Sequence, residues 1–237
     1  MFPGWTAARM FQPAPHGVAR PDGAAGGLGG GEPALTAPTT ALRPFIERAF
    51  GAGHVRIDFA GFSGETLHGA IQEPLDKIRT GLVKPASLAI RLLLPDTARP
   101  MSLPCRAEDL ADDEDSRQRA ARLTARHAAA ILDDVDELVR LGLIADAGAQ
   151  IRVHRCAPLF KLYLLGDDDA FFGFYPIVRN TVPLPGGPRE IFDLMGKDSV
   201  MFHHSARSGD PAGLAFIGQA RNWFDTMWQT ISYEHAA

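Results

Sequence analysis

From His54 the chain alternates apolar and polar positions, with Val55, Ile57 and Phe59 interleaved with Arg56 and Asp58, the period of a half-buried strand. Residues 61–64, Gly-Phe-Ser-Gly, break that period. Leu67, Ala70, Ile71, Leu75 and Ile78 then recur at helical spacing as far as Gly81. A second strand is expected over 87–94, stopped by Pro95-Asp96. Strand, helix, strand is the opening of an α/β unit. A long helix is predicted over 116–141, with Leu123, His127, Ile131, Val135 and Leu138 on one stripe. The acidic run 112–115 just before it reads as a solvated loop or the negative first turn of that helix.

Three β-like runs follow, 149–155, 159–165 and 170–178, the last two joined through Gly166-Asp167-Asp168-Asp169 as a hairpin. Antiparallel strands after an α/β start imply a mixed sheet. In the hairpin, Phe160, Leu162 and Leu164 are expected against a helix layer, leaving Leu159, Lys161, Tyr163 and Leu165 on the other face. Pro183, Pro185, Gly186, Gly187 and Pro188 read as a loop, 199–203 as a strand, and 211–233 as a closing helix with Leu214, Ile217, Phe224, Trp228 and Ile231 on its apolar face. Upstream, residues 1–40 hold six prolines and the run 26–31, Gly-Gly-Leu-Gly-Gly-Gly, a composition without a core. The reading is a disordered tail or linker over 1–40, a short helix over 41–50, and one α/β domain over 53–233.

Composition adds exclusions. A net charge of −4 offers no global field for nucleic acid, so DNA would be reached only through a missing or separate domain. Cys105 and Cys156 stand in unrelated contexts without metal-ligand spacing, so no metal and no cofactor are expected and both thiols read as reduced. With no signal-peptide pattern at Met1–Met10 and no apolar window of roughly 18–20 residues, the expectation is a cytoplasmic protein off the membrane.

Residues 159–167, Leu-Phe-Lys-Leu-Tyr-Leu-Leu-Gly-Asp, lead to 170–175, Ala-Phe-Phe-Gly-Phe-Tyr. With the order of elements around it, this run resembles a single phospholipase D-like half-domain covering roughly 53–233. In that superfamily a strand carries His-x-Lys, four further residues and Asp, the histidine being the nucleophile and the lysine the anion stabiliser. Placed on Lys161, the pattern finds Leu159 at the histidine and Gly166 at the aspartate, with Asp167 one residue late. The Gly-Ser-x-Asn element falls at 173–176, where only Gly173 matches. Leucine has no lone pair with which to attack phosphorus, so that reaction is chemically excluded. The resemblance therefore implies a degenerate site, as in effector domains of bacterial transcriptional regulators, that senses a ligand without turning it over.

The residues expected to line a binding site for a small anionic ligand are Lys161, Tyr163, Tyr175, Ser63 and His154, with Arg179 nearby. Ser63 is included because it ends a strand just before a helix, where ligands of α/β sheets gather. The alternative is a phosphodiesterase-type hydrolase with a rearranged site, using His203 and Asp210 at the motif's seven-residue interval. A homodimer through the terminal aromatic helix is a third expectation.

Overall fold

The computed structural model describes residues 36–197 and 199–234, with side chains from residue 41 onward. Strand β2 (His54–Ala60) runs into helix α2 (Glu65–Arg79) and returns as β3 (Ser87–Pro95), and helix α3 (Glu114–Arg140) carries the chain on to β5 (Asp146–His154). These three strands are parallel, with Ile57 opposite Ile90 and Ile90 opposite Ala149. Next to β2 the sheet turns antiparallel through β6 (Phe160–Leu165), β7 (Asp169–Phe174), β10 (Val200–Ser205) and β1 (Thr36–Pro38). Strand β11 (Tyr233–Glu234) closes the other edge, giving the eight-stranded mixed order β1-β10-β7-β6-β2-β3-β5-β11.

Alternation along the strands divides the core in two. Val55, Ile57 and Phe59 of β2 face α2, α3 and a short helix α1 (Arg43–Phe50), joined there by Tyr163, Leu165 and Phe171. Ala60, Leu93, Leu162, Leu164 and Ala170 face helix α4 (Pro211–Gln229), which presents Ile217, Ala220, Phe224 and Trp228. The expected orientation of the 159–165 strand holds, with Leu162 and Leu164 under a helix and Lys161 and Tyr163 turned away from it. The architecture is thus three layers, helices on both faces of a mixed sheet.

Helix ends follow from local chemistry. The Asp113 carboxylate accepts the Ser116 amide at 2.8 Å and caps α3, and it pairs with Arg189, so the acidic run supplies the helix start and is not merely solvated. Asp210 caps α4 by accepting the Ala212 and Gly213 amides at 3.1 and 2.9 Å, with Pro211 at the first helical position.

Two sequence expectations are corrected. Residues 183–188 are the tip of a hairpin, not a loop, between β8 (Ile177–Leu184) and β9 (Gly187–Leu194), which with β4 (Cys105–Arg106) form a separate three-stranded sheet over Val182, Leu184 and Ile191. The run 170–178 accordingly divides into β7 and the start of β8. The folded unit also begins well before residue 53. Thr36–Pro38 pair with β10, and Leu42, Ile46 and Phe50 are fully buried because α1 lies on the sheet. The remainder of the expected tail, residues 1–35, lies outside the described residues. Among the described residues no helix is long and apolar enough to cross a membrane.

Gly173 in β7 lies close against β10, since a Cβ there would meet the Val200 carbonyl oxygen at 2.6 Å and Met201 Cγ at 3.2 Å. A backbone atom cannot swing aside as a side chain can. Gly173→Ala is expected to cost about 1–3 kcal/mol of stability through displacement of β10, read as a lower urea midpoint. An unchanged midpoint would mean that β10 shifts freely.

Candidate functional site

The carboxyl end of β2 opens into a cavity of about 480 Å³. That is ordinary for a small-molecule site, in the usual range of roughly 300–1,000 Å³. Its floor comes from β6, where Lys161 and Tyr163 point to the α2/α3 side of the sheet. One wall is the turn from β2 into α2, including Phe62, Ser63 and Gly64, and the opposite wall is the end of β9 through Lys197. Arg119 and Leu123 of α3 cover it.

The turn is held by chemistry the chain can supply only here. Gly64 takes a left-handed conformation (φ +71°) as the residue before α2, and no side chain caps that helix. Ser63 Oγ accepts the Glu65 amide at 3.4 Å, a weak contact. The Tyr175 hydroxyl accepts the Phe62 amide at 2.9 Å, fixing the loop against the residue that follows β7. Gly61 makes room for that bond, because a Cβ would lie 2.7 Å from the Tyr175 hydroxyl and 2.5 Å from the Phe59 ring.

Electrostatics set Lys161 apart. It is only 2 % exposed, its Nζ donates to the Gly196 carbonyl and lies 5.7 Å from the centre of the Tyr175 ring. Burial disfavours the ammonium and pushes its pKa down to about 8. Burial likewise pushes the Tyr163 and Tyr175 hydroxyls well above the usual phenol range, so both stay neutral donors at physiological pH. Arg119 reaches Asp193 at 3.5 Å, and Lys197 and Glu65 add charge to the lining.

Of the residues singled out from the sequence, Lys161, Tyr163, Tyr175 and Ser63 line this one cavity. His154 does not. It ends β5, two strands beyond β2, on the α4 side of the sheet. Arg179 is an exposed residue of β8 paired with Glu190 at 2.6 Å. Arg119, Asp193 and Lys197 escaped the sequence reading, since each looks like one of many surface charges until α3 and β9 are placed.

The His203–Asp210 pairing is corrected as well, because Asp210 is occupied as the cap of α4. His203 Nε2 instead meets Asp169 Oδ1 at 2.8 Å, and Arg48 holds the other carboxylate oxygen at 2.6 Å. Burial works against ionisation of Asp169, but these two partners outweigh it and hold its carboxyl below the ordinary value. The His203 ring stacks on Phe171 at 4.3 Å and meets the edge of Phe45 at 4.4 Å. Among the described residues no cluster of three or more His, Cys, Asp or Glu side chains is arranged to hold a metal. Compared with protein-family models and with curated proteins, the chain matches none.

Proposed function

We propose that this domain is a non-catalytic ligand-sensing module that takes a small anionic molecule in the Lys161 cavity, a reading continuous with the resemblance to a degenerate phospholipase D-like half-domain and with bacterial transcriptional regulation. The observation that carries it is a lysine buried to 2 % exposure on the floor of a cavity at the carboxyl end of a parallel strand. Lys161, Arg119 and Lys197 line the same space against the carboxylates Glu65 and Asp193, an excess of one positive charge that favours an anion. Tyr163 and Tyr175 supply hydroxyls that stay protonated. Leu159, at the position where the family pattern has its nucleophile, is half exposed and chemically inert, which supports binding over turnover.

Titration calorimetry with inorganic phosphate tests this. Binding at pH 7 is expected to weaken in Lys161→Met by about 1–3 kcal/mol, the worth of a charge-assisted hydrogen bond, with the far-ultraviolet dichroism unchanged. Affinity should also fall as pH rises through about 8, where Lys161 loses its charge. Equal affinity in the variant would end the reading.

A second reading, a hydrolase centred on His203, is favoured by one contact, the 2.8 Å approach of its ring to Asp169, which has the form of an oriented general base. Hydrolysis of bis(p-nitrophenyl) phosphate that disappears in His203→Ala would establish it; no turnover above buffer would remove it.

A further inference from the structure

His154 leaves an unanswered polar atom in the molecule. Its side chain is 6 % exposed and its Nδ1 is buried without a hydrogen-bond partner. Buried polar atoms are satisfied in the great majority of cases, and one that is not calls for an explanation, a bound molecule being one where the residue also lines a cavity. Alternation on β5 fixes where the ring points. Val153 belongs to the core under α2 and α3, whereas Arg152 stacks over Trp228 of α4 at 5.6 Å, so His154 lies on the α4 side as Arg152 does.

On that side His154 lines a second cavity of about 210 Å³, separate from the Lys161 cavity and on the opposite face of the sheet. Its walls are apolar, from Ala157, Pro158, Phe160, Trp223 and Met227, and Cys156 stands at its edge. Phe160 and Trp223 meet edge to face at 5.2 Å, giving the cavity an aromatic side. The volume is informative: an apolar cavity of about 150 Å³ holds benzene, so this one has room for a single ring with one or two small substituents.

We propose that this cavity binds a monocyclic aromatic molecule bearing a hydroxyl group, the ring against Phe160, Trp223 and Met227 and the hydroxyl on His154 Nδ1. A hydroxyl is the group that fits because it both donates and accepts, and so satisfies Nδ1 in either tautomer of a neutral imidazole. Burial pushes the His154 pKa down, more than the backbone of Cys156 raises it, so the ring is neutral at physiological pH. A carboxylate would meet no charge on that ring and would lose its hydration against the apolar walls. This site is independent of the anion reading, since none of its lining residues is shared with the Lys161 cavity.

Cys156 provides a local readout, because it is exposed while Cys105 is buried. With the full chain, saturating p-cresol is expected to slow the fast thiol reaction with Ellman's reagent. Calorimetry is expected to give p-cresol about tenfold higher affinity than toluene, the factor that one hydrogen bond supplies. In His154→Leu that preference should vanish while toluene still binds, and in Met227→Trp, which fills the cavity, both should fail to bind. The wild-type comparison needs no variant to fold. Absence of thiol protection, equal affinities for p-cresol and toluene in the wild-type chain, or a preference that survives in His154→Leu would each overturn the proposal.

Discussion

Replacement of Asp58 by alanine is expected to lower the unfolding free energy by about 3–5 kcal/mol, the cost typical of removing one partner from a buried ion pair. Asp58 is fully buried in the middle of β2 and accepts from Arg91 Nε at 2.6 Å, from Arg56 Nε at 3.0 Å and from Arg221 of α4. Arg221 also bonds the Gly166 carbonyl, and Arg91 bonds Asp225 of α4 at 2.7 Å. One carboxylate therefore neutralises guanidinium groups that both sheet and helix bring to the interface. Without it Arg91 and Arg221 keep their charge in a poorly hydrated layer, since arginine cannot shed its proton. A domain of this kind has about 5–15 kcal/mol to lose, so about a fifth or more would go. Urea unfolding measures it, with an unchanged m value showing that the native fold persists. A loss below about 1 kcal/mol, the range of exposed pairs, would show that Arg91 and Arg221 re-pair with Asp225 and Asp167.

That network marks where sequence reading stops. Alternation places Val55, Ile57 and Phe59 on one face of β2, and the structure agrees. The same alternation makes Arg56 and Asp58 look like a solvent face, because period two says which residues share a side and not which side meets water. Helix α4 covers that side, and the clue lies 163 residues away, in Arg221 and Asp225 one turn apart on α4. The hairpin 177–194 escaped for a different reason. Its strands are exposed over much of their length and carry Pro183 and Pro188 as a facing pair, so neither periodicity nor composition separates them from a loop.

The candidate site was legible in part for the same geometric reason. Lys161 and Tyr163 stand two apart on one strand, so they share a face wherever the strand lies. Tyr175 follows β7, the strand paired with β6, and Ser63 follows the end of β2, the strand on the other side of β6. Neighbours in the sheet bring these residues to one end of it. His154 lies on β5, with β2 and β3 between it and β6, and its side chain points to the opposite face. No local pattern encodes the order of strands in a sheet, and that order is what separates His154 from the rest.

Stability of the wild-type domain is expected to rise between pH 8 and pH 10, and the rise to be absent in Lys161→Met. The folded-state pKa of Lys161 is pushed down to about 8 by burial, from an ordinary 10.5. Below pH 8 the lysine is charged in both states, and burial makes the ammonium less favourable in the folded one. Between the two values the unfolded chain binds a proton that the folded one does not, so stability climbs with pH at up to about 1.4 kcal/mol per unit. Over pH 8–10 the climb amounts to about 2–3 kcal/mol. Histidines with lowered pKa values, such as His127 and His154, have finished titrating before this window opens. Tyr163, Tyr175 and Cys105 act in the opposite direction. Their folded pKa values are raised by burial, so the stability they contribute is lost as pH climbs past 9 for the thiol and past 10 for the phenols. These groups are common to both proteins and cancel in the difference between the wild-type and Lys161→Met curves, measured by urea unfolding at half-unit steps. The variant should be the more stable protein at pH 7 while, on the proposed anion-binding reading, taking phosphate less well, because the charge proposed to recruit the anion is the one whose burial the fold opposes. Parallel curves from pH 7 to pH 10 would show that Lys161 titrates at its ordinary value and that its ammonium is solvated in the folded state.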